Sequence, residues 1–125
     1  MKKAEGLSIL KALKKVGINE MSTADQFAVL DNIIALSEEA ETIGKIEQAA
    51  KEKFVPKGFE SKTEQERSAL IPDINTKISD YLTPTYEAES EAKVKKLTDE
   101  GIGKIAASTD LNTSEKAILY KFLKS

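Results

Sequence analysis

Between Thr23 and Phe54, Val29, Ile33, Leu36, Ala40, Ile43, Ile46, Ala50 and Phe54 recur at steps of three and four. That spacing keeps one face of an α-helix apolar over the whole stretch. Such a helix extends about 48 Å at 1.5 Å per residue, whereas a compact domain of this chain length has a radius of gyration of about 14 Å. A chain that contains it either bends it, near Ser37 or Gly44, or is elongated. The 125 residues suffice for one modest core and are too few for two. The expectation is an all-α fold, one helical domain spanning residues 1–125.

The first half of the long helix carries a second stripe, Phe27, Leu30 and Ile34. Apolar surface on two sides predicts that this half sits inside the core and that the second half is covered on one side only. Residues half covered in that second half would be free to pack against another chain.

The remaining punctuation is helical. Leu7, Ile9, Leu10, Leu13 and Val16 predict a first helix over residues 3–16, ended by Gly17. Ser22, with Asp25 three residues on, marks the start of the long helix. Pro56 and Gly58 mark a turn, and Thr63 with Glu66 reopens a helix that carries Leu70, Ile71, Ile74, Ile78, Tyr81 and Leu82. Pro72 either kinks that helix or sits in the opening turn of its main piece, and Thr83–Pro84 is expected to stop it. Thr98 can cap a short helix to about Ala107, and Asn112 or Thr113 a last one containing Leu119, Phe122 and Leu123.

The composition closes off much chemistry. There is no Cys and no His, which removes thiolate nucleophiles, thiolate or imidazole zinc sites and every triad with a histidine base. Glu38, Glu39, Glu41 and Glu47 cluster on one helix, where carboxylates ordinarily form a solvated face. "GIGKI" at Gly101–Ile105 lacks the four-residue spacing and the Ser or Thr of a phosphate loop. No catalytic residue, cofactor, metal or small-molecule substrate is therefore expected. The apolar start is interrupted by Lys11, Lys14 and Lys15, unlike a signal peptide, and no stretch approaches the roughly 20 apolar residues of a membrane span.

Charge is uneven. Residues 1–19 carry five basic and one acidic side chain, residues 20–50 one basic and seven acidic. The simplest reading is a basic first helix lying near the acidic long one. Lys2, Lys3, Lys11, Lys14 and Lys15 could instead meet phosphates, which makes nucleic-acid binding the alternative function. Against it, no aromatic residues are interleaved with these lysines, and Arg67 is the only arginine.

"TYEAESEAKVKKL", Thr85 to Leu97, alternates small or apolar residues with Glu and Lys. Propensity favours a helix here; alternation favours a short extended segment near residues 85–95. The order of features, a leading helix, the long "DQFAVLDNIIALSEEAETIGKIEQAAKEKF" helix, this alternating segment, "LTDEGIGKI" and a closing "LNTSEKAILYKFL", resembles a group of small, largely uncharacterised helical proteins of phages and prophages. The resemblance implies an extended segment at this position and a setting in the phage virion or the bacterial host cytoplasm. The edges of that segment would be satisfied by the turn at Phe54–Phe59, by water or by a partner chain.

The expected function is non-enzymatic, a structural or accessory part of a phage particle or its assembly that works through a protein partner or self-association. Ile43, Ile46, Ala50, Tyr86 and Val94 are the expected interface residues.

Overall fold

Five helices carry the chain: α1 (Lys3–Leu13), α2 (Thr23–Phe54), α3 (Glu64–Glu87), α4 (Asp99–Ala107) and α5 (Thr113–Leu123), with a 3-10 turn at Phe59–Ser61. The structure, a computed structural model, describes residues 1–125. Four helices begin where a side-chain oxygen takes the backbone N–H three residues on: Ser22 from Asp25, Thr63 from Glu66, Thr98 from Gly101 and Asn112 from Glu115. Each bond satisfies one of the N–H groups that a helix start leaves without a partner. At the end of α1 the N–H groups of Lys15 and Val16 reach carbonyls three residues back, on Ala12 and Leu13. The chain therefore tightens into a turn three residues before the expected end at Val16.

The 32-residue α2 passes through Ser37 and Gly44 without a break, so the elongated alternative holds. The accessible surface is 8070 Å², against about 6,600 Å² for a compact protein of this mass. Two regions share α2 as a spine. Around its first half, Val29 and Leu36 join Ile9, Leu13, Leu97, Ile105, Leu119 and Leu123 in one buried cluster drawn from every helix but α3. Along its second half, Ile43 and Ala50 are buried outside that cluster, as is Leu82 of α3; Ile74 of α3 is also buried outside it, beyond the end of α2. There α3 runs antiparallel to α2, in a register set by Tyr86 beside Glu47 and by Tyr81 edge-on to Phe54 with ring centroids 5.6 Å apart. With residue 81 opposite residue 54, Glu64 to Asp80 reach past the end of α2.

Pro72 and Pro84 both lie inside α3, and neither ends it. Each removes one backbone donor, which would have served the carbonyl of Ser68 or Asp80. Both of those residues are exposed, so water can take the missing place, and the helix runs on to Glu87 instead of stopping at Thr83. The expected extended segment is consequently split: residues 85–87 are helical, and extended backbone begins at Ala88.

From Ala88 to Thr98 the chain runs extended and antiparallel to α2, with no second strand alongside. An isolated antiparallel bridge, Lys2 with Glu89, holds one end, and a parallel one, Leu97 with Lys124, holds the other. Between them, side chains of α2 act as the missing strand. Asn32 donates to the Lys95 carbonyl and accepts from its N–H; Glu39 accepts from the Ser90 hydroxyl and the Glu91 N–H; Asp25 accepts from the Thr98 N–H. The turn at Phe54–Phe59 plays no part in holding these groups.

Candidate protein-docking surface

Helix geometry turns each successive residue by 100°, which places Phe27, Leu30 and Ile34 on the side of α2 opposite Val29, Asn32 and Leu36. The second set is buried, and the first set is 61%, 42% and 59% exposed. The expectation that the first half of α2 is enclosed by core is therefore corrected. α1, α4, α5 and the extended segment cover one side only, leaving an apolar ridge about 10 Å long, two turns of helix, facing solvent. Asp31, Glu38 and Glu41 border it, and the Lys95 ammonium pairs with Asp31 at 2.5 Å.

The expected interface residues lie elsewhere. Ile43 and Ala50 are 1% and 0% exposed, because α3 packs along their half of α2. Ile46 is half-buried on the same half of the helix. Val94 packs against the buried cluster of its own chain, so a charge there would disturb the fold first. Tyr86 is half-buried and donates its hydroxyl to Glu47 at 2.5 Å. The carboxylate holds the phenol proton, and with burial this pushes the Tyr86 pKa up to about 12. Ile43, Ile46, Ala50 and Tyr86 lie along the second half of α2 and Val94 along the first, with Ile46 and Tyr86 keeping part of their surface exposed.

The lysines of α1 project away from the core, with Lys2, Lys11, Lys14 and Lys15 exposed. Lys15 pairs with Glu115 of α5 at 2.8 Å, and Lys121 of α5 returns the contact to Glu5 of α1 at 3.4 Å. No ion pair joins α1 to α2: Lys15 and Glu5 pair with α5, and Asp31 of α2 pairs with Lys95 of the extended segment. Of the four clustered glutamates, Glu39 and Glu47 are occupied by hydrogen bonds to that segment and to Tyr86.

A buried junction fixes where the ridge starts. Asp25 is 1% exposed, and its carboxylate accepts the N–H of Thr98 at 2.9 Å and the Thr98 hydroxyl at 2.5 Å. Thr98 in turn accepts the N–H of Gly101 at 3.2 Å, so the first turns of α2 and α4 are tied through one carboxylate. Burial works to raise the Asp25 pKa, and the bonds from Thr98 and Ser22 outweigh it, leaving the carboxyl below its ordinary value. A Cβ on Gly101 would lie 2.5 Å from Asp25 Oδ2, so only glycine allows this approach; Gly103 faces open space. Past this junction a cleft of about 390 Å³ opens between α4 and α5, with Ile102 and Ile105 on its buried side and Ala106, Ala117 and the half-exposed Tyr120 around its mouth.

Neither the ridge nor the cleft was separable from core by periodicity, which reports that a face is apolar and not whether anything lies against it. One signal was present: Asp25 and Asn32 share the line of Val29 and Leu36, and two polar groups there mark the side that meets another part of the backbone. No protein-family model, no curated protein and no solved structure matches the chain.

Proposed function

We propose that this chain is a non-enzymatic protein-binding module whose docking face is the Phe27–Leu30–Ile34 ridge, acting, as the resemblance implies, within a phage or prophage particle or its assembly. The observation that carries the reading is the exposure of three large apolar side chains in line on a helix whose opposite face is fully used by the core. Exposed apolar residues in isolation are ordinary; three adjacent ones rimmed by carboxylates form the kind of patch that partners cover. The elongated shape adds support, since it leaves more surface for contacts than folding requires. So does the use made of the acidic residues, because Glu39, Glu47 and Asp25 are engaged in holding backbone and hydroxyl groups.

A photo-reactive residue at position 30, compared with one at the equally outward Gln48, tests the proposal in the cells that produce the protein. Protein adducts formed at position 30 and absent at position 48 are expected; equal labelling at both positions, or none at position 30, overturns it.

A further inference from the structure

Resting on that reading of the ridge, we infer that its occupant is a second copy of this chain, which receives the ridge head to tail in the cleft between α4 and α5. The two surfaces match in length. Phe27, Leu30 and Ile34 occupy positions i, i+3 and i+7, and the α5 wall of the cleft, Thr113, Lys116, Ala117 and Tyr120, occupies i, i+3, i+4 and i+7. Each set spans two helical turns, about 10 Å, and an apolar helix face seated in a groove is a common mode of recognition. Ala106, Ala117 and Thr113 are small enough to let a third helix approach α4 and α5 closely, and Ile102 and Ile105 supply apolar surface behind them.

The charges match as well. The ridge is bordered by Asp31, Glu38 and Glu41, with Lys95 and Lys45 as their intramolecular partners. The cleft is bordered by Lys116 and by Lys124, whose ammonium lies 5.1 Å from the Tyr120 ring centre, with Asp99 the one acidic group acting on Lys124. Counted locally, the ridge border holds three acidic and two basic side chains and the cleft border two basic and one acidic. An acid-bordered ridge entering a base-bordered cleft is electrostatically favourable, and the opposite pairings are not. Ridge against ridge would bury three side chains from each copy and leave the cleft empty. Because ridge and cleft are different surfaces, one contact leaves each pair of molecules with a free ridge and a free cleft, so association continues into a row or closes into a ring.

The test is sedimentation velocity from about 10 µM to about 1 mM, the range in which an interface well below 1,200 Å² associates. Wild type is expected to grow beyond a dimer with concentration. Phe27→Asp removes the ridge and Ala117→Glu blocks the cleft; each alone is expected to stay monomeric with unchanged helical circular dichroism, with Tyr120→Glu as the second cleft variant should Ala117→Glu lose helix. Mixed in equal amounts, the ridge variant and the cleft variant retain one complementary pair and are expected to stop at a heterodimer of twice the monomer mass. A wild type that stays monomeric, or a mixture that stays monomeric, overturns the inference. Cross-linking from position 30 to a different protein, with a monomeric wild type, also overturns it while leaving the docking face itself intact.

Discussion

The side-chain amide of Asn32 takes both backbone polar groups of Lys95, donating to its carbonyl at 3.0 Å and accepting from its N–H at 2.6 Å. One side chain on a helix thus does for an extended backbone what a neighbouring strand would do. Asn32 is fully buried, so its loss leaves two backbone groups without partners in a place water reaches poorly. Asn32→Ala is expected to cost about 2–3 kcal/mol, from two hydrogen bonds of about 1 kcal/mol each plus part of the penalty for groups left unpaired. Urea unfolding measures the cost, and amide exchange should show Lys95 losing protection before the core does.

The two glycines of α4 are expected to respond in opposite directions. Gly101→Ala forces a methyl to within 2.5 Å of Asp25 Oδ2 and breaks the tie to Thr98, a loss of about 1–3 kcal/mol. Gly103→Ala meets nothing within 4 Å and should gain about 0.5–1 kcal/mol by the helix preference of alanine over glycine. Thermal unfolding of the two variants side by side checks both signs.

Acid should act through Asp25. Its folded pKa lies below the unfolded one, so its contribution is complete above the ordinary Asp range near pH 4 and is lost as pH falls through the folded value. Asp25→Asn is expected to be less stable at pH 7, because the amide cannot accept the Thr98 bonds as a carboxylate does, and to lose less stability on acidification than wild type. Urea midpoints between pH 7 and pH 2 give both slopes; parallel curves would remove Asp25 from the acid response.

Alkali should act through Tyr86, where the sign is reversed. The folded state prefers the protonated phenol, so the contribution of the Tyr86–Glu47 bond is present below about pH 10 and fades as pH rises toward 12. Of the three tyrosines, one should therefore ionise late in a spectrophotometric titration. Tyr86→Phe should abolish that late step, and a titration unchanged in this variant would exclude the bond.

Substitutions on α2 separate its two faces. Phe27→Ser and Ile34→Ser remove exposed side chains and should change stability by no more than about 0.5 kcal/mol. Leu36→Ala, two residues beyond Ile34 and 2% exposed, should cost about 2–5 kcal/mol. Comparable losses on both faces, read from denaturant midpoints, would mean that the ridge is packed in solution.

Much of this architecture is legible in the sequence itself. The caps were legible because Ser22, Thr63, Thr98 and Asn112 act on backbone within three residues of themselves. The span of α2 was legible because its periodicity never lapses. The passage of α3 through Pro84 was not, since whether a proline ends a helix depends on whether the carbonyls it orphans face water. The extended backbone after Ala88 was anticipated, but its partners were not: Asp25, Asn32 and Glu39 lie 50 to 75 residues away in sequence and carry no repeat that points to Lys95. The exposure of the ridge is not legible for a related reason, because what covers a face is set by the other elements, and those elements end before they reach the far side of α2.

The way Ala88–Thr98 is held has a consequence for the fate of the protein at high concentration. Fibril growth needs a template whose groups are repeated by each molecule added to it. Here the edge that faces α2 is filled by an amide and two carboxylates anchored on a rigid rod, so a newcomer can pair along that edge only after α2 has been pulled away.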